Sequence, residues 1–107
     1  MEKEVNEIRV LNIPLETADK EYEVYFPKGT QFFTLHTRDG TAIRLSHEEG
    51  KVNASDPPYW TLKANTSWSE DRLYIIRNLR LYVACGTAAK VVEVIVGLYN
   101  PELEETT

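Results

Sequence analysis

The sequence predicts an all-β fold, a single-domain antiparallel β-sandwich of the jelly-roll kind with seven to eight strands. Three observations carry this. Val91-Val92-Glu93-Val94-Ile95-Val96 is almost wholly β-branched, and such side chains suit a pleated surface. Turn signals recur about every ten residues, the spacing of sandwiches and small barrels. No stretch shows helical periodicity with caps.

The organising stretch is Leu73 to Leu98. It reads as two strands, Arg77 to Ala84 and Lys90 to Leu98, joined as a hairpin by the small-residue loop Cys85 to Ala89. The second is apolar on both faces apart from Glu93, which predicts a central strand covered on both sides.

Upstream, Ile8, Val10, Leu11 and Ile13 give a first extended segment, which Pro14 ends or turns at an edge. Leu15 to Lys20 is polar and reads as a loop. In Glu21 to Phe26, Tyr22, Val24 and Phe26 alternate with Glu21, Glu23 and Tyr25, a half-buried strand. Pro27-Lys28-Gly29-Thr30 supplies a turn. Thr30 to Arg38 opposes Phe33, Leu35 and Thr37 to Phe32, Thr34 and His36. Asp39-Gly40 then signals a tight hairpin, returning along Thr41 to His47 with Ile43 and Leu45 inward and Arg44 outward.

Glu48 to Pro58 is a long loop, of the kind that is functional or flexible. Its two prolines preclude regular pairing. Tyr59 to Ala64 resumes a strand, and Asn65 to Asp71 reads as a turn with Trp68 at its tip. Pro101 ends the last strand. Residues 1–107 therefore read as one domain, with a flexible acidic N-terminus (1–5) and an acidic C-terminal tail (101–107).

At 107 residues the chain is long enough to bury a core without disulfides, and its one cysteine, Cys85, reads as a small apolar residue at a strand end. Apolar runs are only a few residues long, against about 20 for a spanning helix, so no membrane partner is expected. The acidic, polar first residues are unlike a secretory leader. Two sequons, at Asn53 and Asn65, read as turns rather than glycosylation sites.

The net charge of −5 is uneven. Residues 1–25 hold seven acids and three bases, net −4; residues 26–98 hold seven acids and nine bases, net +2; residues 99–107 add three acids. Phosphate binding needs a clear basic excess, so nucleic acid is not an expected partner. The acidic ends are solvated tails, or else lie against a basic surface of another copy or a larger assembly.

Nothing marks an enzyme. Two histidines and one cysteine, scattered in sequence, do not make a metal site. No Gly-x-Ser-x-Gly elbow, phosphate loop or EF-hand spacing is present. The expectation is no catalysis, no metal and no cofactor. The candidate partner-binding residues are aromatics and arginines. Tyr59, Trp60 and Trp68 could stack on sugar rings, anchor an interface or close the core. Arg44 and Arg80, with Arg72 and Arg77, could form a sheet face suited to carboxylates or an ordinary charged surface.

The order of signals also resembles a known group. Tyr22-x-Val24-x-Phe26-Pro27-x-Gly29-Thr30 leads into Phe33-x-Leu35-x-Thr37-Arg38 and Ala42-Ile43-Arg44-Leu45-Ser46. Tyr59-x-Thr61-Leu62-Lys63-Ala64, Trp68-x-Glu70, Leu81-Tyr82-Val83 and Val91-Val92-Glu93-Val94 follow. Over roughly residues 21–98 this resembles small β-sandwich accessory proteins of tailed-phage and prophage virions. The resemblance implies a non-enzymatic decoration (cement) protein of the capsid surface, made in the host cytoplasm. Its implied partner is the major capsid protein or another virion protein. It also implies a symmetric homo-oligomer, a trimer among the arrangements allowed. The acidic termini and the Glu48–Pro58 loop would then reach across neighbouring subunits. The alternative expectation is a carbohydrate- or host-surface-binding module that uses the loop aromatics.

Overall fold

The structure is a computed structural model that describes residues 4–53, 56–73, 75 and 77–103. Of the expected termini, 1–5 and 101–107, residues 1–3 and 104–107 lie outside the described residues. Eight strands are described: β1 (Glu7–Leu15), β2 (Tyr22–Phe26), β3 (Thr30–Thr37), β4 (Ile43–Ser46), β5 (Trp60–Leu62), β6 (Ser67–Glu70), β7 (Leu79–Ala84) and β8 (Lys90–Leu98). A 3-10 turn at Pro101–Leu103 follows them.

The strands form two four-stranded antiparallel sheets, β1-β8-β3-β6 and β2-β7-β4-β5. Four of the pairings, β1 with β8, β2 with β7, β3 with β6 and β4 with β5, are those of one long hairpin with β4 and β5 at its tip. Rolling that hairpin up sets β3 beside β8 and β4 beside β7, and so closes two sheets from one ribbon. This is the jelly-roll arrangement.

The core lies between the sheets. Val92, Val94, Val96 and Leu98 of β8 and Phe33 and Leu35 of β3 face Val24 and Phe26, Ile43 and Leu45, and Leu81 and Val83 from the other sheet. Each strand contributes alternate residues, as period-2 patterning requires. Leu15, at the end of β1, and Cys85, after β7, complete the same core.

Two expected hairpins are corrected. Arg77–Ala84 and Lys90–Leu98 do not pair, because β7 and β8 belong to different sheets. Likewise the Asp39-Gly40 turn carries the chain from β3 in one sheet to β4 in the other. Gly40 has φ +84°, and Asp39 accepts from the Thr41 amide and hydroxyl. A turn signal fixes a reversal but not the sheet of the return strand. Here Phe33 and Leu35 on one side and Ile43 and Leu45 on the other are both buried, and facing each other across the sandwich is how both sets leave water.

Ser67–Glu70, expected as part of a turn, is strand β6, paired with β3 from Phe33↔Glu70 to His36↔Ser67. Trp68 is therefore not at a turn tip. Strand β8 is central, but its outer face is not covered: Ile95 is 39% exposed.

Two close approaches account for particular glycines. Gly29, at φ +94°, donates to the Ile75 carbonyl and accepts from the Tyr99 amide, tying the β2–β3 turn to both ends of the chain's last third. Gly97 lies under the ring of Phe32, and a methyl group there would overlap that ring. The two residues are cross-strand neighbours beside a bulge at Gln31.

The long loop has a second core of its own. Val52 is fully buried against Tyr82 and Ala84 on the outer face of the β2-β7-β4-β5 sheet. Ser46 Oγ donates to the Pro58 carbonyl, and the Gly50 amide donates to the Glu21 carboxylate. The described part of this loop is thus a flap packed on its own sheet. Ala54 and Ser55, within it, lie outside the described residues.

Candidate functional site

Three surfaces could meet a partner: an aromatic edge, the open part of the sheet bearing Arg80, and the outer face of β1-β8-β3-β6.

The aromatic edge brings together three predicted residues. Trp60 stands opposite Leu45 and Trp68 opposite Leu35, so both rings turn toward the space between the sheets. They meet edge to face with centroids 5.0 Å apart, and Trp68 meets Phe33 likewise at 4.9 Å. Phe33 in turn lies 4.7 Å from Phe26, so an aromatic column runs from the core to the β5/β6 opening. Trp68 is half-buried and its Nε1 donates to Glu70 Oε1. It closes the core. Trp60 is 49% exposed, and with Tyr59 it borders a hollow of about 350 Å3 floored by Leu45 and Leu81.

The predicted arginines separate. Arg44 does face outward, but its side chain is only 17% exposed. Its Nε donates to the Val52 carbonyl at 2.7 Å, and its Nη2 to Asp19 Oδ1 at 2.8 Å. It clamps the flap and the β1–β2 loop onto the sheet. Arg80 is exposed, with its guanidinium 5.4 Å from the centroid of the Tyr25 ring, its cross-strand neighbour. Arg77 is also exposed and lines the same concavity as Arg80, whereas Arg72 does not.

The third surface was missed. In register, Ile8, Gly97 and Phe32 form one row across the outer face of the first sheet, and Val10, Ile95, Thr34 and Ser69 the next. Ile8 is 54% and Val10 64% exposed, beside Ile95. The following row, Asn12, Glu93, His36 and Ser67, is polar. Glu93 accepts from Arg38 Nε at 2.8 Å and from His36 Nε2 at 2.9 Å, and Arg38 Nη2 donates to Asn12. The Arg38 hydrogen bond, then that of His36, holds the Glu93 carboxyl below its ordinary pKa. On a chain of net charge −5, this face offers an apolar strip and a closed ion network.

A signal for it was present. Ile8 and Val10 have one parity in β1 and Leu11 and Ile13 the other, so the strand is apolar on both faces. The inner parity begins with Glu7 and Arg9, which pair with each other at the open margin, and Asn100 also donates to Glu7. These contacts, Arg9 first, lower the Glu7 pKa.

Among the described residues no three His, Cys, Asp or Glu side chains gather as a metal site. No family model matches the chain, nor does any curated protein or solved structure.

Proposed function

We propose that this protein is a non-enzymatic structural component of a tailed-phage virion, a decoration protein that docks on the head shell and acts as a symmetric oligomer. The observation that carries the reading is the exposed strip Ile8, Val10 and Ile95 on adjacent strands of one sheet. Full burial of an aliphatic side chain stabilises by ~1.5–3 kcal/mol. These three are roughly half exposed, so covering them contributes on the order of 3–4 kcal/mol. That is modest for one contact, but a shell repeats its sites and linked copies gain avidity without new contacts. The two-sheet scaffold supplies a rigid platform, and the strand and turn order from Tyr22 to Val94 supports the virion assignment.

The test is co-sedimentation with shells, stripped of this protein, of the phage that encodes it. Saturable pelleting at a fixed ratio to the major shell protein is expected. Protein that stays in the supernatant well above micromolar concentration would overturn the proposal.

A second reading rests on Trp60 and Tyr59 beside their hollow, a place where a sugar ring could stack. It calls for a change in tryptophan fluorescence on adding glycans, abolished by Trp60→Ala. A flat titration across a glycan series would dismiss it.

A further inference from the structure

Six arginines occur in the chain, and they divide by what they touch. Arg9, Arg38 and Arg44 each hold a carboxylate of the same molecule. Among the described residues Arg72, Arg77 and Arg80 hold none, and two of these three share one concavity. It is about 610 Å3 and is lined by Tyr25, His47, Arg77, Asn78, Leu79 and Arg80.

The concavity is built by the fold. It lies on the outer face of the β2-β7-β4-β5 sheet, opposite to the apolar strip. The flap covers this face over Tyr82 and Ala84 and leaves the Tyr25–Arg80 end open. His47 Nδ1 donates to the Arg80 carbonyl at 3.4 Å. Asn78 Oδ1 accepts from the Lys28 amide at 3.0 Å, fixing the β2–β3 turn against the rim. Arg80 rests over the Tyr25 ring in a cation–π contact, and the Tyr25 and Tyr82 side chains hydrogen-bond to its guanidinium, which has five N–H donors and so keeps others for a ligand. Glu23, which shares the outer face of β2, acts on Arg80 through its charge but does not reach ion-pair distance; Glu48 follows His47 at the flap's start.

We propose that Arg77 and Arg80 form a carboxylate-binding cleft that takes an acidic segment of a partner protein. Planar guanidinium forks match carboxylates in a bidentate manner. The Tyr25 ring and Leu79 offer apolar surface for the methylenes of a glutamate side chain. The volume exceeds one carboxylate and suits a short run of residues. A nucleic acid would need a longer basic track than two arginines on an acidic chain. The cleft does not rest on the virion reading, because it lies on the other sheet and is tested without shells.

The test is a titration of the full chain with acetylated hexaglutamate amide in low-salt buffer, followed by backbone NMR shifts, with hexaglutamine as control. Saturable shifts centred on Tyr25, His47 and Arg77–Arg80 are expected, with none from hexaglutamine. Affinity should fall at least tenfold in R77Q/R80Q, whose melting temperature should match wild type because both side chains are exposed. It should also fall steeply as salt is raised. Equal binding to wild type and R77Q/R80Q, shifts spread over the molecule, or no binding at millimolar peptide would overturn the proposal. So would displacement of the peptide by equimolar inorganic phosphate, which would make this a general anion site.

Discussion

Replacing Arg44 by Met separates the structural account of this residue from the partner-binding role its sequence position suggested. The substitution keeps most of the stem that packs on the sheet and removes two charge-assisted hydrogen bonds, to the Val52 carbonyl and to Asp19. A hydrogen bond to a charged group contributes about 1.5–3 kcal/mol. Asp19 is largely exposed, so that pair adds at most about 1 kcal/mol. The expected loss is thus about 2–3 kcal/mol, rising toward about 5 if the flap detaches and Val52 loses its burial. For a domain of this size a loss of about 2–3 kcal/mol lowers the melting temperature by roughly 10 °C. Urea unfolding of Arg44→Met beside Asp19→Asn reads the two contacts apart, and limited proteolysis at Lys51 reports the flap. Arg44→Met should be the more destabilised and be cut faster at Lys51; Asp19→Asn should lose no more than about 1 kcal/mol. A stability for Arg44→Met within about 0.5 kcal/mol of wild type would refute the clamp.

Other residues give further expectations. Thr37 is buried with its hydroxyl unpartnered among the described residues, so Thr37→Val should raise stability by about 1 kcal/mol in urea unfolding; a loss would reveal a partner for that hydroxyl. Trp68→Ala should cost about 3 kcal/mol and Trp60→Ala about 1, because only Trp68 bridges core and edge; the reverse order would contradict the aromatic column. The Lys90 and then Thr41 hydrogen bonds lower the Asp39 pKa from its ordinary 3.8 to about 2. A carboxylate depressed on folding contributes stability above its unfolded pKa and loses it as pH falls through the folded one. Stability should therefore decline across pH 4 to 2, and Asp39→Asn should make that decline shallower; an unchanged slope would count against the pair.

The fold class was legible because period-2 alternation survives in nearly every strand. Val24 and Phe26, Phe33 and Leu35, and Ile43 and Leu45 were all assigned to the correct face. The sheet partnership was not legible. Asp39-Gly40 and the Cys85–Ala89 loop reverse the chain, and a reversal looks the same within one sheet as between two. Ser67–Glu70 escaped notice because an edge strand of serine and glutamate carries one apolar residue, Trp68, whose burial depends on Phe33, its diagonal neighbour on β3. Arg44 was read as outward, which it is; what covers it is Val52, eight residues on in a loop with no pattern. The apolar strip hid in the double parity of β1, since a strand apolar on both faces reads as buried until its place at a sheet edge is known.

The central claim is that the β1-β8-β3-β6 face docks on a virion shell. It is tested most directly by co-sedimenting wild type and Val10→Glu with stripped shells. Val10 is 64% exposed, so the substitution should leave the fold intact while placing a charge in the apolar strip. The account calls for saturable pelleting of wild type and at least a tenfold loss for Val10→Glu, with equal melting temperatures. Equal pelleting of the two proteins, or none of either, would contradict it.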